Sequence, residues 1–351
     1  MKEGKTISQL AREIERQAAT ARDFVSPAGN IQMLETAEIA IGGDAFRGEL
    51  TEDAHGQMAD KLGIPRSYYN RMRASEPELL ATNANRWLQA EPATKHMIRT
   101  LDGNARAVLS DRYHRLDNFQ ILQGALPAIY DLPVEIVSSE VTDRRLYVQA
   151  RFPMVQGEVK RGDVVSAGFI LSNSETGFGA LDIRPLVYRL VCTNGMVASH
   201  DVADGRLRRT HVGKRVEALE DYSIYADDTR AADDKALMLK IRDALSRLSN
   251  PDLFLRLMDK MRAATEGEQI VRPVAAVEEL GKAFPLSEGE REGVLTALIR
   301  DQDYSRWGML NAVTNIANTT TSYDRAVELQ TLGGKLLDLP AANWQRVALA
   351  A

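Results

Sequence analysis

Residues 133–152 read PVEIVSSEVTDRRLYVQARF. Two β-rich runs, 133–141 and 145–152, flank Thr142, Asp143 and Arg144, the pattern of a β-hairpin with a polar turn. A third run, 164–172 (VVSAGFILS), follows the charged, glycine-bounded loop 156–163. Beyond it, residues 178–183 are strand-like. Ile183, Leu186, Val187, Leu190 and Val191 then fall at helical spacing, with Pro185 near the start and Asn194-Gly195 placed to cap the end. The centre of the chain therefore predicts three strands, a strand-like link and a helix.

Working outward, residues 6–22 form an amphipathic helical pattern with Ile7, Leu10, Ala11, Ile14 and Ala18 on one stripe. Short strand-like runs lie at 39–41 and 46–50. Residues 51–72 read as two short helices: Thr51 caps the first, Gly63 ends it and Pro65 opens the second. Ala59 permits close helix contact and Gly63 supplies the turn, which is the spacing of a helix-turn-helix. Beyond residue 230 the period is helical again, over 235–248, 251–264, 274–284, 287–300, 304–317 and 322–337. The fold class expected is α+β: a small central antiparallel β-sheet, made of a β-hairpin with further strands and a helix, a helical N-terminal segment and an all-helical C-terminal region. The division expected is an N-terminal α+β region (1–104), a β-rich core (105–216), an acidic linker (217–234) and a helical domain (235–351).

The 351 residues suffice for a full hydrophobic core without a disulfide or metal staple. The single cysteine, Cys192, lies in an apolar stretch, which fits packing in a reducing compartment. The charged N-terminus lacks the apolar core of a signal peptide, and no run approaches the ~20 apolar residues of a membrane span. A soluble, cytoplasmic protein with no membrane partner is expected. The net charge is −5, unevenly spread: residues 216–351 carry 16 Lys and Arg against 22 Asp and Glu, and residues 1–215 carry 28 against 27. Within the first part, 206–215 (RLRRTHVGKR) holds five cations and no acid. Residues 217–234 then hold seven acids and one base, a tail-like repulsive neighbour.

Catalytic motifs are missing. There is no GxxxxGK[ST] loop, GxSxG elbow, HExxH or CxxC pair, and His55, His96, His114, His200 and His211 are scattered. Glu158-Val-Lys160 has the E-x-K spacing of some nucleases, a tripeptide that chance supplies often. The expectation is a protein that is not an enzyme, with no catalytic residue, no cofactor and no metal.

Residues 105–118 (ARAVLSDRYHRLDN) interleave Arg106, Arg112 and Arg115 with Tyr113. Cations beside an aromatic can neutralise phosphates while a base stacks on the ring, a mode of single-strand binding that tolerates any sequence. Arg144 and Arg145 at the hairpin, Lys160 and Arg161 in the next loop and Arg184 and Arg189 in the expected helix add charge, as do Arg206, Arg208, Arg209, Lys214 and Arg215. These fifteen positions are the expected nucleic-acid-binding residues, on the premise that they converge into one electropositive track.

Three segments, 110–118 (SDRYHRLDN), 172–177 (SNSETG) and 188–196 (YRLVCTNGM), resemble the hallmark segments of the phage/plasmid-like family, also known as domain of unknown function 932. Leu62-Gly-Ile-Pro65 and 307–318 (WGMLNAVTNIAN) extend the resemblance over most of the chain. Members are carried by phages, prophages and conjugative plasmids, so the resemblance implies a mobile-element setting. The expected strand-strand-strand-helix order is similar to the core of the single-strand annealing superfamily that includes phage RecT and Red-beta, an analogy of fold alone. The function expected is single-stranded DNA binding and annealing by a homo-oligomer, a ring or filament, in recombination or protection of mobile-element DNA. The alternatives are a sequence-specific duplex binder using residues 51–72 and an inhibitor that takes a host protein as partner.

Overall fold

The computed structural model describes residues 1–198, 206–210 and 226–350. Helix α1 (Ile7–Thr20) opens with a capping box: the Thr6 hydroxyl accepts the Gln9 amide, and the Gln9 side chain accepts the Thr6 amide. Strand β1 (Arg22–Pro27) follows, then an antiparallel meander of β2 (Ile31–Met33), β3 (Ile39–Ile41) and β4 (Phe46–Gly48). Helices α2 (Glu52–Lys61), α3 (Arg66–Ser75) and α4 (Pro77–Ala90) come next. Thr51 caps α2, Gly63 takes φ +65° in the turn and Pro65 precedes α3, as the spacing predicts. Strands β5 (Lys95–Leu101) and β6 (Asn104–Ser110) join β1 in the order β1-β5-β6. Asp102 and Gly103 between them both have positive φ, the requirement of a tight primed hairpin turn.

After α5 (Asn118–Tyr130) comes the main sheet: β7 (Glu135–Val141), β8 (Leu146–Glu158), β9 (Val164–Asn173), β10 (Leu181–Arg189) and β11 (Asn194–Val197). Its order is β11-β10-β9-β8-β7, all antiparallel, with β12 (Leu207–Arg209) also pairing with β10. The helix expected over 183–191 is therefore strand β10, and residues 178–180 are not strand. Leu181, Ile183 and Val187 enter the core while Asp182, Arg184 and Leu186 face the other side, a period of two that the 183/186/187 spacing disguised. Pro185 fits a strand here because the outer side of β10 pairs with β12 over 181–183 and with β11 over 186–189, leaving the proline nitrogen in the gap.

Seven helices complete the described residues: α6 (Asp227–Leu248), α7 (Pro251–Ala263), α8 (Pro273–Ala283), α9 (Glu288–Asp301), α10 (Arg306–Ile316), α11 (Tyr323–Leu337) and α12 (Ala341–Ala348). The first six match the helical spacings of the sequence; α12 does not figure among them. None of the described helices is long and apolar enough to cross a membrane.

The main sheet lies between helical layers. Leu146, Val148, Ala150 and Phe152 of β8 and Val165, Phe169 and Leu171 of β9 share one apolar cluster with α1, α5 and α6, and this cluster continues through α7 to α12. On the opposite face Tyr147, Ile170 and Leu186 pack against Tyr323 and Val327 of α11. A second, separate core joins α2, α3 and α4 to the meander and to β5 and β6. Phe169 has no exposed surface. Phe169→Ala should lower unfolding free energy by about 3–5 kcal/mol, transfer and cavity terms together. In urea titration, tryptophan fluorescence and far-ultraviolet circular dichroism should shift together, and a loss under about 1 kcal/mol would contradict the close packing.

Candidate functional site

The main sheet separates the expected cations. Strand β9 spans ten residues, so its two ends lie about 30 Å apart. Arg144 and Arg145 sit in the β7–β8 turn at one end; Lys160, Arg161 and Arg189 cluster near the β8–β9 turn at the other. Arg106, Arg112 and Arg115 belong to β6 and the loop after it. Lys214 and Arg215, with residues 217–225 of the acidic run, lie outside the described residues.

Carboxylates lie among these cations, so among the described residues they do not form a single continuous track. Arg106 pairs with Glu175 at 2.7 Å, Arg144 with Asp53 at 2.6 Å and Lys160 with Asp303 at 2.6 Å. Arg189 pairs with Asp163 at 2.6 Å, Arg209 with Asp233 at 2.9 Å, and Arg115 approaches Asp23 at 3.5 Å. Arg112 and Arg161 are exposed. Tyr113 is buried and donates its hydroxyl to the Ser174 carbonyl at 2.7 Å, so its ring is not open to a base.

Four of the expected residues do meet. Alternation along β10 turns Asp182 and Arg184 to the same face, and Arg206 and Arg208 arrive there beside β12. Arg145 enters from the start of β8, its Nε donating to the Phe178 carbonyl at 3.0 Å. Helix α11 supplies the facing wall through Arg325, Glu328, Leu332 and Lys335, whose spacing of three and four keeps them on one helical face. Phe284 and Pro285 close one side. The result is a groove of about 480 Å³ lined by six cations and two carboxylates. Arg325 and Lys335 are absent from the residues expected from sequence; their face was legible in the 325/328/332/335 spacing, but nothing local says which surface it meets.

Charge in this groove is incompletely balanced. Asp182 serves two guanidiniums, Arg206 at 2.7 Å and Arg184 at 3.3 Å. Burial pulls the Arg184 pKa down, Asp182 opposes, and Arg206 and Arg145 add to the lowering. The buried Arg184 Nε is the atom 3.3 Å from Asp182 but is not aligned for a hydrogen bond, and the Arg184 Nη2 donates to the Thr331 hydroxyl at 3.5 Å. Arg208 and Lys335 are exposed, with no ion-pair partner among the described residues. Arg325 is held by Glu290, Glu328 and the Pro285 carbonyl. Guanidiniums short of counter-charge, in a concave site, suit a phosphate or similar oxyanion.

The hallmark segments form ties of another kind. Arg99 is buried between Asp23 and Asp117 and reaches the Glu175 carbonyl at 3.1 Å. Glu175 accepts the Asn118 amide at 2.6 Å, and the Asn173 side chain donates to the Leu116 carbonyl at 2.9 Å. Segments 110–118 and 172–177 are thereby locked together. At the far end of the sheet the Trp307 indole donates to Asp163 at 2.8 Å and Asn194 donates to Thr314 at 2.5 Å, joining 188–196 to α10.

A family model described as a domain of unknown function, DUF932, matches residues 105–331. The chain belongs to the DUF932 family. No curated protein and no solved structure matches it. The matched span of this DUF932 protein contains the hallmark segments and every charged residue of the groove except Lys335, while Asp23 and Arg99 of the first tie precede it.

The Glu290 clamp on Arg325 titrates. Hydrogen bonds from Arg325, against the opposing effect of burial and with help from the Ser287 amide, hold the Glu290 carboxyl down at about 2 against an ordinary 4.5. The unfolded chain therefore takes up this proton first: stability from the clamp is full above pH 4.5 and lost as pH falls toward 2. Glu290→Gln should flatten the acid limb of a stability-against-pH curve across that window, and superimposable acid limbs would refute the clamp.

Proposed function

We propose that this DUF932 protein binds single-stranded DNA, gripping phosphates in the groove between β10, β12 and α11. The observation that carries the reading is the six-to-two excess of cations over carboxylates lining one concave site, with Arg208 and Lys335 exposed in it. Phe284 on the groove wall offers an aromatic face beside those cations, the combination on which bases stack while the backbone is neutralised. The resemblance to the phage/plasmid-like family supports mobile-element DNA as the source of the strand. Strand annealing rested on an element order that β10 does not have, so the proposal is confined to binding.

Fluorescence anisotropy of a labelled oligothymidylate should show binding that weakens with salt, log K falling by about 0.7 per phosphate contact for each unit of log salt. Arg208→Ala with Lys335→Ala, both exposed side chains, should weaken binding and shrink that slope by about 1.4, two contacts being lost. Absence of salt-sensitive binding at low ionic strength, or an unchanged slope in the double variant, would overturn the proposal.

A second reading has its own observation. Helices α2 and α3 are joined by a short turn at Gly63, and α3 exposes Ser67, Asn70 and Arg71 near its first two turns, the positions from which a recognition helix would meet base edges. Duplex recognition there predicts that Ser67→Ala with Asn70→Ala abolishes discrimination between duplex sites while single-strand binding stays intact. Equal discrimination in the variant and the parent would remove this reading.

A further inference from the structure

A second cavity, of about 360 Å³, opens between α1, the start of β1, the β5–β6 pair and the first turn of α5. It differs in kind from the groove. Arg22, Arg99, Arg106 and Arg115 are set against Asp23, Asp117 and Glu175, so charge is nearly balanced. Two of its cations are already deeply committed: Arg99 to Asp23 and Asp117, Arg106 to Glu175. A phosphate polymer gains little in such a place, because each added negative charge competes with carboxylates already present.

The walls point elsewhere. Ile14, Ala18 and Ala21 of α1 present a low apolar surface, and the half-exposed ring of Phe119 lies on the α5 side. Around this apolar wall stand donors and acceptors of both kinds. The Arg106 side chain is mostly buried and holds Glu175 at one side of the cavity, while Arg115 and Phe119 are exposed at its rim. A neutral molecule with an apolar face and a mixed donor–acceptor edge suits these walls. The volume lies within the range of small-molecule sites, about 300–1,000 Å³.

We propose that this cavity is a nucleobase pocket, in which a base lies against Phe119 and the α1 wall with its polar edge toward the arginines and carboxylates of the lining. The site is built by the hallmark segments 110–118 and 172–177, which supply Arg115, Asp117, Asn118 and Glu175. It stands independently of the groove. The base reaches it either as a free nucleoside or as one unit of a bound strand.

Isothermal titration of the full chain with adenosine, guanosine, cytidine and thymidine tests the pocket. At least one nucleoside should bind with one-to-one stoichiometry. Phe119→Ala should weaken it about ten-fold or more, the loss of a stacking partner. Arg115→Ala, at the rim, is a second variant whose exposed side chain can be removed without disturbing the core, and it should weaken binding as well. Arg208→Ala with Lys335→Ala should leave nucleoside affinity unchanged, which separates this site from the groove whatever the groove binds. An oligonucleotide arm assigns the source: weakening of strand binding by Phe119→Ala and by one abasic unit marks a base of the strand, and indifference to both marks a free nucleoside. Either result upholds the pocket. No binding of any nucleoside at millimolar concentration, or equal binding by the Phe119→Ala variant, would overturn it.

Discussion

A guanidinium taken out of water must find its counter-charges inside the protein, and this chain is organised around several that do. Arg99, 2% exposed, collects Asp23 from β1, Asp117 from the turn before α5 and the backbone of Glu175 from the loop after β9. An incomplete set would leave an ionised group buried at a cost of several kcal/mol, so the three segments cannot drift apart. Arg106 and Arg189 repeat the device with Glu175 and Asp163. The N-terminal sheet is thereby fixed to the main sheet, and Asp163, which also accepts the Trp307 indole, carries the Arg189 tie to α10.

The same constraint sorts the cations by role. Arginines held by carboxylates from distant segments are ties. Around Arg184 the one carboxylate, Asp182, comes from the same strand, and the groove opens between β10 and α11 rather than closing on a further acid. Layering makes the opening possible: α11 covers the face of the sheet at Tyr147, Ile170 and Leu186, and the polar end of β10 extends past that apolar contact. Cleft and groove then lie on either side of the loop after β9, one nearly neutral in its lining and one cationic.

Much of the architecture was legible locally. The capping box of α1, the Thr51 cap with Gly63 and the hairpin of β7 and β8 each rest on residues a few positions apart. Some elements were less visible for equally local reasons. Asp102-Gly103 carried the signal for the β5–β6 hairpin, but β5 is buried on both faces and shows no alternation. Pro127 lies inside α5 and reads as a break. Leu181, Ile183, Leu186 and Val187 suit either period, and only pairing with β9 on one side and β11 and β12 on the other makes them a strand. For the groove, Arg145, Arg184, Arg206 and Arg208 could be read from charge alone, whereas Arg325 and Lys335 required knowing what α11 faces.

By itself the sequence determined the α+β class, the helical C-terminal half and the positions of most helix starts, because caps, turns and hydrophobic periods act within one or two turns of the chain. Tertiary structure alone decided which cations are consumed and which remain available. Arg144 meets Asp53 across 91 residues and Lys160 meets Asp303 across 143, and a charge pair of that separation leaves no trace in local pattern. Electrostatic pairing depends on distance in space, and the fold sets that distance.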